Sequence, residues 1–261
     1  MTLELKVFPA HTAQATNLPQ SVLSLEIPTQ PTIASVHFGS NTALKQAAMA
    51  WLDFPNTVKP SDAIVPSPFR IVLIWGQAGC GKTLLAQALV NESNESHESD
   101  ASYLNRSSSV ADFVAAHSAQ AVVVDDIDTY NDTLATAAFD LFNHIRANPL
   151  KRWWATASVP PAQMLGLRAD ISSRMAWGLS LEILPLQDTD SVGVMQQQAA
   201  RLGFDLGAES AQYLLLRLER NLSRLAAHLA SLNHYALALK KPVTPYLVQQ
   251  WYAQVYLAKT A

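Results

Sequence analysis

Arg70-Ile71-Val72-Leu73-Ile74-Trp75-Gly76-Gln77-Ala78-Gly79-Cys80-Gly81-Lys82-Thr83 is the stretch that decides the fold. Its first half is a continuous apolar run of strand length, the pattern of a parallel strand buried on both faces. Its second half, Gly76 to Thr83, fits G-x-x-x-x-G-K-[ST], and a helix is predicted from about residue 82 to 90. The glycines let backbone N–H groups curl around phosphate oxygens. Lys82 puts a point charge on the β- and γ-phosphates, and Thr83 offers its hydroxyl to Mg²⁺. The N-terminus of the following helix adds a positive dipole. Gly76, Gly79, Cys80, Gly81, Lys82 and Thr83 are therefore candidate binders of ATP or ADP. Cys80 occupies a free position of the loop and reads as a small filler, a reactive thiol being the other reading.

Such a loop needs an acidic partner for the metal. Val122-Val123-Val124-Asp125-Asp126 supplies one, an apolar strand delivering two carboxylates at its end. Asp125 would join Thr83 in the Mg²⁺ shell, and Asp126 would orient or activate an attacking water. Asp128 reads as a turn residue. Thr156 ends a third predicted strand, Trp153-Trp154-Ala155-Thr156, and in a parallel sheet would sit beside the γ-phosphate; a structural threonine is the other reading. Trp153 and Trp154 point to opposite faces of that strand, which suits packing.

Working outward, residues 178–184 read as a further strand and Ser102-Tyr103-Leu104 as a short one. Helices are predicted over 42–52 with Asn41 as cap, 110–117 and 133–147. From 188 on, every segment is helical: 188–202, 208–220, 221–240 and a last helix opened by Thr244 as cap and Pro245. The expected fold class is α/β, a P-loop nucleotide-binding fold with a parallel sheet flanked by helices, followed by a small all-α lid. The expected division is an extended arm over 1–35, the α/β part over 36–186 and the helical part over 187–261.

The 261 residues carry a net charge of −3 and no run of Lys and Arg, which argues against a dedicated nucleic-acid binder. The single cysteine excludes an intrachain disulfide, and neither a signal peptide nor a membrane-length apolar run is visible. A cytoplasmic location is expected. The seven histidines show no metal-ligand spacing.

Leu167-Arg168-Ala169-Asp170-Ile171-Ser172-Ser173-Arg174-Met175-Ala176-Trp177-Gly178 resembles the arginine-finger stretch of the AAA+ family formed by the bacterial replication initiator DnaA and its relatives. Ala155-Thr156-Ala157-Ser158-Val159-Pro160-Pro161 resembles their sensor 1 segment, Leu222-Ser223-Arg224-Leu225 their sensor 2, and Phe38-Gly39-Ser40-Asn41 the element flanking adenine. Within the family the chain is most similar to the Hda group. That placement expects no oligomerisation domain ahead of Phe38, little between Asn105 and Gln120, and no DNA-binding domain after the lid helices.

This resemblance implies a nucleotide-bound regulator. Together with the DNA-loaded sliding clamp of DNA polymerase III, it would stimulate hydrolysis of DnaA-bound ATP and prevent re-initiation. Arg174 would act as a finger in trans, on DnaA or on a second copy in a homo-oligomer, and Arg224 would contact the nucleotide from the lid. Leu23 and Leu25, in Val22-Leu23-Ser24-Leu25-Glu26-Ile27, would bind the clamp as an extended peptide, although Val22 stands where the family has glutamine. Ser158 and Val159 replace a charged pair usual in relatives, so the chain's own ATPase is expected to be weak. A helicase-loader or transposition-helper ATPase, and a non-catalytic adaptor holding ADP, are the alternatives.

Overall fold

Val72 and Ile74 leave their strand on one face and Leu73 on the other, and this period of two organises the molecule. The computed structural model describes residues 30–55, 67–96, 100–164, 178–218 and 221–256. Five parallel strands, β1 (Ile71–Trp75), β2 (Ala101–Leu104), β3 (Ala121–Val124), β4 (Arg152–Ala157) and β5 (Leu179–Glu182), lie in the order β2-β3-β4-β1-β5. Strands β3 and β4 are buried along their whole length, which is why they read as continuous runs. The α/β fold with a parallel sheet is as expected.

Helices cover both faces. On one, α1 (Thr42–Leu52) and α2 (Lys82–Ser96) pack Leu44, Trp51, Leu85 and Leu89 against Val72, Ile74, Val123 and Trp154. On the other, α3 (Val110–Ala115) and α4 (Asp132–Ala147) pack Phe113, Leu141 and Phe142 against Leu73, Val122 and Trp153. The two tryptophans do face opposite ways. Trp153 stands edge-on to Phe142 at 5.4 Å and Trp154 edge-on to Trp51 at 5.9 Å.

Two local expectations need correction. Asn41 occupies the N-cap position of α1, but its side chain makes no capping bond. Its Nδ2 donates to the carbonyls of Phe38 (2.9 Å) and Leu184 (3.0 Å), and its Oδ1 accepts from the Leu184 N–H (2.8 Å). The amide thus serves as a peptide-like partner for the chain just beyond β5. Helix α2 runs past residue 90 to Ser96, although that tail is polar. Tertiary contacts carry it: the Asn94 amide pairs with both backbone groups of Ala101, and Ser93 is buried beneath Arg152.

At the edge of the sheet where β1 and β4 begin, two arginines hold the structure together. Arg70 Nη1 donates to the carbonyls of Ile145 in the last turn of α4, Asn148 at its C-cap and Lys151 just before β4, satisfying acceptors that the helix end and the turn leave open. Arg152 is fully buried with its guanidinium over Trp51, and burial lowers its pKa to about 10.

The helical part has a core of its own. It comprises α5 (Asp188–Arg201), α6 (Ala208–Leu215), α7 (Leu222–Leu239) and α8 (Pro245–Trp251), around Met195, Leu214, Leu229, Leu232 and Trp251. Thr244 accepts from the Leu247 N–H and Pro245 opens α8, the start chemistry expected. Helix α6 stops at Leu215, earlier than expected, and the chain turns through Leu216 and Arg217. No described helix is long and apolar enough to cross a membrane.

Candidate functional site

Because all five strands run the same way, the segments that follow β1, β3 and β4 emerge at one edge of the sheet. There the loop of residues 76–81 passes from β1 into α2. Gly79 and Gly81 hold φ of 80° and 100°, the left-handed region that turns successive N–H groups inward. Lys82 is buried, with Nζ donating to the carbonyls of Gly76 (2.7 Å) and Gln77 (3.0 Å). Thr83 is exposed at the start of α2.

Across from this loop, Asp125 is buried and both its oxygens are engaged. Oδ2 accepts from the Tyr103 hydroxyl (2.8 Å) and Oδ1 from the Thr156 hydroxyl (2.6 Å). The Thr156 oxygen also accepts from the Asp126 N–H (2.7 Å), so one threonine holds both acids. Asp126 sits in the left-handed region (φ 50°, ψ 47°), an unusual conformation for a residue with a side chain, in a turn that brings it to the cleft. Burial, then the charge of Asp125, pushes the Asp126 carboxyl above its usual range, while Lys82 pulls the other way.

Thr156 itself is fully buried and lies behind the cleft, where its contacts are with the acids. The residue at the end of β4 that lines the cleft is Ser158, whose N–H and hydroxyl both donate to Asp128. Asp128 is thus more than a turn residue: it braces Ser158.

The cleft is about 470 Å³, within the range of small-ligand sites. One wall is the loop and first turn of α2, with Gly79, Gly81, Lys82 and Thr83; Asp126, Thr129 and Ser158 also line it. The other wall is helical: Val194, Met195, Gln198 and Arg201 from α5, and Leu225, Ala226 and Leu229 from α7. A small cavity of about 40 Å³ adjoins it, sharing Ser35, Gly81, Leu84 and Val194, and is lined by Phe38, Cys80, Ile183 and Leu186. This recess is mostly apolar, and Phe38, the residue expected beside adenine, is among those that line it. Cys80 is half-buried there; burial pushes its thiol pKa up, against the nearby Lys82, which favours the filler reading.

Among the expected site residues, the structure brings together Gly79, Gly81, Lys82, Thr83 and Asp126 on the cleft, with Gly76 and Asp125 directly behind. Arg224 is exposed near the start of α7 and does not line the cleft; its neighbours Leu225 and Ala226 do. Arg174, Leu23 and Leu25 lie outside the described residues. Tyr103 and Arg201 carry no distinguishing local pattern and emerge only in three dimensions.

The donor set suits a hard divalent ion. Asp125 is a carboxylate oriented by two donors, and the Thr83 hydroxyl lies on the cleft, the oxygen ligands that Mg²⁺ takes beside phosphates.

The lid touches the loop directly. A Cβ placed on Gly79 would lie 2.2–2.5 Å from the side-chain atoms of Asn221, which precedes α7. Gly79→Ala therefore meets both a positive φ and a steric block. It should cost about 1–3 kcal/mol of stability, read as a lower Tm. Adding Asn221→Ala should recover the steric share only. An unchanged Tm for Gly79→Ala would contradict this contact.

A family model described as Hda, lid domain, matches residues 188–251, and a model for RNA helicase matches residues 72–156. An uncharacterized protein of Haemophilus influenzae is 29% identical over 195 residues, covering 72% of this chain and 83% of its own. Domain III of the Thermotoga maritima replication initiation protein DnaA is similar with a TM-score of 0.69 at 17% identity, over 84% of this chain and 94% of that one. AMPPCP-bound DnaA from Aquifex aeolicus gives 0.59 at 18% identity, over 76% of this chain and 62% of that one. The Thermotoga maritima RuvB Holliday junction branch migration motor gives 0.59 at 15%, over 83% and 69%. At these identities the structural likenesses speak for the fold.

Proposed function

Because the chain is a DnaA-related AAA+ protein with an Hda-type lid, we propose that it acts on the replication initiator DnaA as its regulator. In this reading it holds ADP or ATP in the cleft and, with the DNA-loaded sliding clamp, stimulates hydrolysis of DnaA-bound ATP. The observation that carries the reading is the cleft itself, in which a phosphate-type loop and Asp126, backed by the buried Asp125, face a lid matching the Hda family.

The geometry supports the following roles. Gly79, Gly81 and Lys82 cradle the phosphates, and the recess at Phe38 receives the base. Thr83 and Asp125 would hold Mg²⁺, which when bound neutralises phosphate charge. Asp126 is placed to accept a hydrogen bond from a water on the cleft side, and Tyr103 and Thr156 keep the acids in position. The test adds the protein, with clamp on DNA, to ATP-loaded DnaA and follows ADP. Production above that of DnaA alone supports the reading; the absence of any increase rejects it.

Residues 20–27 would supply the link to the clamp. The motivation is the apolar alternation of Leu23, Leu25 and Ile27, which resembles the family's clamp-binding peptide. A Leu23→Ala, Leu25→Ala double variant should lose most clamp binding in a pull-down; equal binding by variant and wild type would leave the arm without this role.

A motor-type ATPase acting on nucleic acid is the second reading, favoured by the RNA helicase match over 72–156. It expects ATP turnover raised by nucleic acid with no DnaA present.

A further inference from the structure

Arg201 belongs to no local motif, yet it lines the same cleft as Lys82. Among the described residues these two are the cations of the cleft wall. Arg201 ends α5, whose cleft-facing residues Val194, Gln198 and Arg201 follow the i, i+4, i+7 spacing of one helical face. Val194 also lines the small recess, so the base end of the helix is marked. At 1.5 Å rise per residue, Arg201 lies about 10 Å along the axis from Val194. That distance is comparable with the reach from a purine across the ribose to the β-phosphate. The wall opposite carries Lys82 and Thr83, where that phosphate would lie.

We propose that Arg201 is the lid's phosphate-binding cation, so that α5 spans the bound nucleotide from its base at Val194 to its β- and γ-phosphates at Arg201. This rests on reading the cleft as a nucleotide site. It assigns to the first lid helix the charge that the sequence places on Arg224 of α7. An arginine on its flexible stem can swing to phosphate oxygens and form paired hydrogen bonds there. The structural alternative is a helix-end charge answering the C-terminal dipole of α5, which needs no ligand.

The experiment measures adenosine, ADP and ATP affinities by calorimetry for the full chain and for Arg201→Ala, Arg201→Lys, Arg224→Ala and Lys241→Ala. Lys241 is an exposed lid cation away from the cleft and controls for general charge. Arg201→Ala should weaken ADP and ATP roughly ten- to a hundredfold and leave adenosine unchanged. Arg201→Lys should recover part of the loss, and Lys241→Ala should stay at wild type. Equal losses for adenosine and ADP would mark a merely structural role and overturn the proposal. Wild-type ADP and ATP affinity in Arg201→Ala would overturn it too, and a phosphate-dependent loss in Arg224→Ala would then return the role to α7. A wild-type chain that bound no adenine nucleotide would overturn the site reading, and this proposal with it.

Discussion

Lys82→Ala should reduce ATP and ADP affinity by a factor of roughly 10² or more, because charge-assisted bonds to phosphate are worth about 1.5–3 kcal/mol each. The lysine is buried, and its ammonium is already turned onto the loop carbonyls of Gly76 and Gln77. Phosphate oxygens would therefore meet a cation held where the loop closes. Alanine also removes two bonds that shape the loop, so Lys82→Gln is the needed companion: one atom shorter than lysine, it keeps a donor but not the charge. Both variants should bind poorly, and Lys82→Gln should keep a Tm closer to wild type than Lys82→Ala. Calorimetry showing wild-type affinity in either would displace the site from this loop.

Arg174→Ala should leave the chain's own nucleotide affinity intact and abolish its stimulation of DnaA. A guanidinium delivered by a partner stabilises charge on the transferring phosphoryl group and is worth about 10³ to 10⁵ in rate. Arg174 stands a few residues before β5 in the sequence, in the stretch that resembles the family's arginine finger. Two measurements separate the readings: turnover of DnaA-bound ATP with the variant, and the variant's own ADP binding. Full stimulation rejects the finger. Loss of own binding assigns Arg174 to its own site, and mixed assays with a second copy of the chain distinguish action on DnaA from action on itself.

Much of the fold is readable in the sequence because its signals are local. Strands β1 and β3 are unbroken apolar runs flanked by polar residues, and the loop between Trp75 and Lys82 announces itself by glycine spacing. The α5–α8 pattern is clear for the same reason. What stays hidden depends on partners far along the chain. Asn41 carries the residue type of a cap, but the backbone at Leu184, 143 residues away, overrides that preference. Arg70 stands beside a strand with no pattern to show that it closes the end of α4.

The site divides in the same way. Lys82 and the two acids are fixed by short motifs, whereas Tyr103 matters only because β2 lies beside β3, which puts its hydroxyl on Asp125. Strand periodicity puts Thr156 at the right strand end but one layer too far forward. A threonine at the last inward position of a fully buried strand bonds to its neighbours before it can reach a ligand. Arg201 looks like any charged residue near a helix end. Its address depends on which face of α5 is turned to the loop, and that is decided by how the lid packs.

The Asn41 contact also fixes how the two parts of the molecule are joined. Leu184 is bound at both backbone groups, and α5 begins at Asp188, so the tether between sheet and lid is reduced to Pro185, Leu186 and Gln187. Pro185 has a fixed φ, and Leu186 is pressed against the backbone at Gly39, where an added Cβ would lie 2.8 Å from it. Few torsions are left for a pivot. Any change in the angle between sheet and lid would have to be taken up in this one short segment, and it would move the α5 wall of the cleft, with Arg201 at its far end.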